Sequence, residues 1–150
     1  MFQTYSHANL EGLDLIPSEA IAFHKIPFFH CRVPAGFPSP AEDYHENTLN
    51  LNDLVVDHPA STFFVRVDGN SMLDAGIYNG DVVVVDRALE PGVDAVVVAA
   101  IDGQFTIKRI SQSKGCLLLL PANKEHVPIE ITEDMDFCVW GVVTYVIHKL

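Results

Sequence analysis

A chain of 150 residues, 49% hydrophobic and 19% charged, is long enough for one compact domain with a real core. Nine Lys and Arg against twenty Asp and Glu leave a net charge of −11. That surface repels phosphate backbones and argues against direct high-affinity DNA binding, so any link to DNA should run through a protein partner.

Residues 1–35 differ from the rest. Leu10, Leu13, Leu15 and Ile16 stand among polar residues, Pro17, Pro27 and Pro34 interrupt the stretch, and no long helical or strand period survives. This reads as an arm that lies across the domain and cannot fold alone. Ile26, Phe28 and Phe29 support the alternative of a strand or helix packed permanently on the core. The arm carries three acidic and two basic side chains, whereas residues 36–150 carry 17 and 7, so the charge excess belongs to the domain. The first residues lack the basic start and apolar core of a signal peptide, and the longest apolar stretch, Val139 to Ile147, is too short for a membrane span. A cytoplasmic protein is expected. At the end of the arm, Pro34 biases Val33 towards an extended backbone, from which the alternate side chains Val33 and Ala35 can enter pockets along a sheet edge. Ala35 is small enough for a tight pocket, and Gly36 lets the backbone turn.

Phe37 to Tyr44 suggests a turn and one short helical turn starting at Ser39, and Thr48 to His58 a short helix. The remainder is β-rich, with strands expected at 61–67, 82–87, 95–101, 104–110, 116–120, 127–131 and 137–148. Asp102-Gly103 is a hairpin signal. Strands this frequent without long helices predict a mainly β domain, a compact folded-over or barrel-like sheet. Cys31, Cys116 and Cys138 have no C-x-x-C spacing, which argues against a disulfide framework or zinc site. Cys116 and Cys138 are expected as apolar residues in strands, and neither a metal nor a cofactor is expected.

The chemistry-bearing stretch runs from Val67 to Asp81. The extended run Phe63–Val67 feeds the turn Asp68-Gly69, which presents Ser71 beside Met72; Gly76, Gly80 and Asp81 follow, then the apolar run Val82–Val85. A hydroxyl at the mouth of such a turn has free backbone N–H groups beside it, and those near Ser71 and Met72 are candidate oxyanion donors. The hydroxyl needs a base. Seven histidines are scattered without a triad context, but Lys108 sits in a strand that should be largely interior. Burial disfavours its charged form and makes a neutral amine available. Strand alternation puts Arg109 on the opposite face. The competing reading is bland: a surface turn at Asp68–Ser71 and a solvated strand edge at Lys108-Arg109.

The ordered set Gly69-x-Ser71-Met72, Gly76-Ile77, Gly80-Asp81 and a lysine 37 residues after the serine resembles the self-cleaving serine–lysine peptidase family of LexA. Gly36-Phe37-Pro38-Ser39-Pro40-Ala41 and Trp140-Gly141-Val142-Val143 resemble its UmuD/MucA-type SOS mutagenesis branch, from about Val33 to the C-terminus. The resemblance implies a domain like the LexA C-terminal one at 36–150, with residues 1–35 as a cleavable arm. It implies that the Ala35–Gly36 bond is cut by Ser71 and Lys108, and that the RecA filament on single-stranded DNA promotes the cut. The processed form is then implied to be a homodimeric accessory subunit of a UmuC-like Y-family, error-prone translesion polymerase. A repressor would also need an N-terminal helix-turn-helix, which the proline-rich first 35 residues cannot supply. The alternative is a non-catalytic, polymerase-binding regulatory module.

Overall fold

The computed structural model describes residues 15–17, 26–29, 35–36 and 46–150. In chain order the elements are β1 (Leu15–Pro17), β2 (Ile26–Phe29), β3 (Glu46–Leu49), α1 (Leu51–Val55), β4 (Thr62–Arg66), β5 (Val82–Asp86), β6 (Val96–Ile101), β7 (Gln104–Ser113), β8 (Cys116–Leu120), β9 (Ile129–Ile131) and β10 (Phe137–Ile147). The seven strands expected from residue 61 onward all form, and the fold is mainly β. The helix expected within Thr48–His58 is the single turn of α1, capped by the Asn50 side chain accepting from Asn52 N–H at 3.1 Å. Its apolar period is misleading: Val55 is buried, while Leu51 and Leu54 are exposed. The helical turn expected at Ser39, and Val33 and Cys31, lie outside the described residues.

Eight strands form one antiparallel sheet in the order β1-β4-β5-β10-β6-β7-β8-β9, and β2 pairs with β3 in a second, two-stranded sheet. Leu15–Pro17 pairs with Phe63–Val65 along the outer edge of β4. Among the described residues the sheet has two ends, β1 and β9, and is folded over rather than closed. Its fold line is β10, which pairs with β6 through Phe137–Val142 and with β5 through Val142–Ile147, with register shifts at Val139/Gly141 and Val143/Tyr145. Bulges of this kind bend and twist a strand, so one long strand serves two halves of the sheet.

The unbroken valines of β5 are explained by burial on both faces. Val83 and Val85 join Val65, Met72, Ile77, Val98 and Trp140 in one core cluster, while Val84 joins Val55 and Phe64 in another. A third cluster gathers Val97, Ala99, Ile110 and Leu119. The first cluster matters for function, because Met72 and Ile77, which flank the serine turn, are both 2% exposed. Trp140 closes this cluster between Phe63 and Phe105, with ring centroids at 5.2 and 5.9 Å. Next to it, Gly141 lies against β5: a Cβ there would meet Val85 Cγ1 at 2.6 Å and the Asp86 carbonyl oxygen at 3.1 Å. Gly141→Ala is therefore expected to lower stability by about 1–3 kcal/mol, read as a lower melting temperature with the active-site geometry otherwise retained.

Two tight hairpins frame β7. Asp102-Gly103 adopts φ values of 49° and 78°, as its sequence predicts, and Lys114-Gly115 does the same at 50° and 83°. Cys116 and Cys138 are free thiols in strands, but Cys116 is exposed and so is not a core residue.

Candidate active site

The serine turn is held by its own backbone and by a few polar side chains. Val67 N–H donates to the Asp81 carbonyl at 2.8 Å and Gly80 N–H to the Val67 carbonyl at 2.9 Å, so the two ends of the loop are stitched together. Gly69, at φ 101°, turns the chain out of the strand direction, and its N–H donates to the Asn79 side chain at 2.8 Å. Residues Leu73–Ala75 form one 3-10 turn that ends at Gly76 in the left-handed region, φ 74°. Asp81 braces the far end. Its buried carboxylate accepts from Tyr78 N–H at 2.8 Å and pairs with His148 Nδ1 at 2.6 Å. Burial alone would raise this carboxyl, but the Tyr78 and His148 hydrogen bonds outweigh it and hold it below the usual range.

Ser71 and Lys108 meet in this structure. Lys108 Nζ lies 2.8 Å from Ser71 Oγ, 2.8 Å from Thr106 Oγ1 and 2.9 Å from the Ile107 carbonyl oxygen. The lysine is buried at 8% exposure, and that burial lowers its pKa from the ordinary value. The three neighbours explain how the amine is aimed. An ammonium can donate to all three, whereas a neutral amine has two N–H bonds and one lone pair. Thr106 and the Ile107 carbonyl take the two N–H bonds, which leaves the lone pair facing the Ser71 hydroxyl. Strand alternation places Thr106 and Lys108 on one face of β7, and the Arg109 guanidinium turns away to the Asp94 carbonyl at 2.8 Å.

The Ser71 side of the lysine opens into a cleft of about 290 Å³, walled by Val65–Gly69 on one side and Phe105–Ile107 on the other, with Met72 and Val98 at its floor. Ala35 and Gly36 are not in it. They occupy an exposed bend, and a Cβ built on Gly36 meets no heavy atom within 4 Å. The structure thus brings Ser71 and Lys108 together and leaves the expected cleavage bond undocked. The N–H groups of Ser71 and Met72 have no acceptor among the described residues.

One further polar cluster invites comparison with a Ser-His-Asp arrangement. His58 Nδ1 pairs with Asp86 at 2.6 Å, but Ser61 Oγ donates to the same carboxylate at 3.1 Å rather than to the imidazole. Among the described residues no hydroxyl there is placed for deprotonation by histidine, and the cluster braces the start of β4 against β5.

Sequence reading missed Thr106, Asn79 and Asn123. Thr106 is two residues from Lys108 on a strand, a period-two neighbour that could have been flagged; Asn79 holds Gly69 from within the same loop, and Asn123 reaches the site from 53 residues away. Thr106→Val, which keeps the shape, should lower the limiting rate of any Lys108-dependent reaction about tenfold by loosening the amine. Its pH midpoint should move down, because the ammonium loses an acceptor that favours the charged form. Rate measurements across pH would separate the two effects.

Comparison with known proteins follows the same lines. The Peptidase S24-like family model matches residues 27–144. The chain is similar to protein MucA of Salmonella typhimurium, 45% identical over 130 residues that cover 85% of this chain and 88% of MucA. It is similar to protein SamA of Salmonella typhimurium strain LT2, 47% identical over 123 residues covering 82% and 85%. It is also similar to the LexA repressor of Xylella fastidiosa strain M12, 40% identical over 111 residues, which cover 74% of this chain and 52% of the repressor.

Proposed function

This chain belongs to the Peptidase S24-like family, and on that premise we propose that it cuts its own Ala35–Gly36 bond, with Ser71 as nucleophile and Lys108 as base. The observation that carries this reading is the 2.8 Å contact between Lys108 Nζ and Ser71 Oγ at the edge of a cleft, made by a lysine whose burial favours the neutral amine. The neutral Nζ takes the hydroxyl proton as Oγ attacks the Ala35 carbonyl carbon. The Ser71 and Met72 N–H groups receive the oxyanion. The Lys108 ammonium then gives its proton to the Gly36 nitrogen as the C–N bond breaks. Water, deprotonated by Lys108 in turn, hydrolyses the acyl-serine and frees the new carboxylate.

Because the bond is tethered to its own enzyme, docking sets the rate. An arm that docks presents the bond at an effective concentration that a free peptide cannot match. In the undocked arrangement described above nothing is cut, and a partner that favours the docked arm switches the enzyme on by population shift. On the UmuD/MucA-type resemblance, that partner is the RecA filament on single-stranded DNA. The product, residues 36–150, then serves in the cytoplasm as a homodimeric accessory subunit of a UmuC-like Y-family translesion polymerase in the SOS response. The acidic surface, net −11 over the chain, fits recruitment to DNA through proteins rather than phosphates. No helix among the described residues is long and apolar enough to cross a membrane.

A second reading is favoured by the exposed, undocked Ala35–Gly36 bend: a regulatory module that binds the polymerase without cutting itself. Intact-mass analysis from neutral pH to about 10, with and without RecA filaments, separates the two. A fragment starting at Gly36, absent from Ser71→Ala protein that remains folded, is the expected result. No fragment under any condition leaves the binding module, and a fragment starting elsewhere overturns the assigned bond.

A further inference from the structure

A loop remote in sequence grips the serine turn. Between β8 and β9, Ala122 N–H donates to the Ser71 carbonyl at 2.9 Å, and Asp74 N–H donates back to the Ala122 carbonyl at 2.7 Å. Beside them Asn123 Nδ2 donates to the Asn70 carbonyl at 2.8 Å, and His126 Nε2 lies 2.8 Å from Asn70 Oδ1. The Asn123 amide cannot be turned over without loss, because its Oδ1 also accepts from Glu125 N–H at 3.0 Å.

These contacts have a consequence for the oxyanion donors. A trans peptide unit points its C=O and N–H in opposite directions. The Asn70–Ser71 unit has its carbonyl end fixed by Asn123, so its other end, the Ser71 N–H, is fixed facing away from the loop. The Ser71–Met72 unit is fixed in the same way by Ala122, which sets the Met72 N–H. Both donors are without an acceptor among the described residues, and both residues line the cleft. A hydrogen bond to the carbonyl also polarises the amide and strengthens its N–H as a donor.

We propose that Asn123 is a positioning residue that aims the Ser71 N–H at the developing oxyanion. It touches no reacting atom and acts through the Asn70–Ser71 peptide unit. Ala122 does the equivalent work with its backbone N–H, which of the substitutions only proline removes, with a change of the loop backbone, so Asn123 is the point where the device can be tested. The role rests on the self-cleavage reading above.

The test compares self-cleavage of the full chain across pH in wild type, Asn123→Ser and Asn123→Ala. Serine keeps a hydroxyl that can accept from Glu125 N–H in the turn but is too short to reach the Asn70 carbonyl. Removing one oxyanion donor outright costs about 100- to 1,000-fold, so misaiming one should cost about tenfold or more. The expected result is a fall of that size in the high-pH limiting rate of both variants, with the pH midpoint unchanged because the neighbours of Lys108 are untouched. The Ser71 amide proton and nitrogen shifts, followed by NMR, should also move in both, because they report the hydrogen bond made to the preceding carbonyl.

A limiting rate within about twofold of wild type overturns the proposal, as does a fall accompanied by a shifted midpoint, which would report general loosening of the site. If wild type does not cleave at all, the self-cleavage reading has failed, and the amide decides for Asn123. Unchanged Ser71 amide shifts in Asn123→Ser would then show that the side chain orients nothing.

Discussion

Lys108→Arg is expected to abolish self-cleavage at every pH up to about 10, a loss of about 1,000-fold or more. The substitution keeps a long, positively charged side chain and removes one property, the ability to become neutral, since a guanidinium is never deprotonated in a protein. It therefore separates a base from an electrostatic role. If Lys108 merely stabilised negative charge, arginine would retain much of the activity. Lys108→Met supplies the complementary result. It should be as inactive as arginine, yet at neutral pH at least as stable as wild type, because an apolar side chain replaces one that must hold its charge in a buried site. Activity in the arginine protein, measured by intact mass after overnight incubation, would remove Lys108 from the mechanism.

The contrast between Lys108 and its neighbours shows where sequence reading reaches and where it stops. Val82–Val85 announces a strand buried on both faces because four β-branched residues in a row have no solvated side, and the structure places them in two different clusters. Asp102-Gly103 announces its turn because both central positions need positive φ, and those two residues tolerate it. The pairing of Ser71 with Lys108 was legible only through the ordered spacing of glycines and serine around it. What local pattern does not carry is contact between distant segments. Asn123 is 53 residues from the backbone carbonyl it holds, and His148 is 67 from the carboxylate it braces. Nothing in Pro121–His126 distinguishes that stretch from an ordinary polar turn. Leu51 and Leu54 mislead for the opposite reason: their spacing suits a helix face, but α1 is one turn long and its apolar side chains are mostly left in solvent.

The rate of self-cleavage should rise with pH about tenfold per unit and level off above the depressed pKa of Lys108, below the ordinary lysine value of 10.5. The same shift has a signature in stability. The folded protein gives up the Lys108 proton at a lower pH than the unfolded chain does, so between those two values the unfolded chain binds more protons. Stability contributed by this group therefore increases with pH across that window. His58 works the other way. Its hydrogen bond to Asp86 raises its pKa, so its contribution is full below the unfolded value of 6.5 and lost as pH rises through the folded one. Asp81 and Asp86 carry lowered pKa values, and their contributions vanish only as pH falls below the usual carboxylate range. The Cys116 and Cys138 thiols are pushed up and lose their contributions in the alkaline range, so the lysine contribution is read as the difference between wild type and Lys108→Met. Denaturant titrations in the alkaline range should show the stability of wild type rising relative to Lys108→Met, with the onset of that rise at the pH where the cleavage rate levels off. Coincidence of that onset with the cleavage midpoint would tie the burial of one amine to both effects. A cleavage midpoint at the ordinary lysine value would mean that burial does not tune the base, and the rate would then be governed by docking of the arm alone.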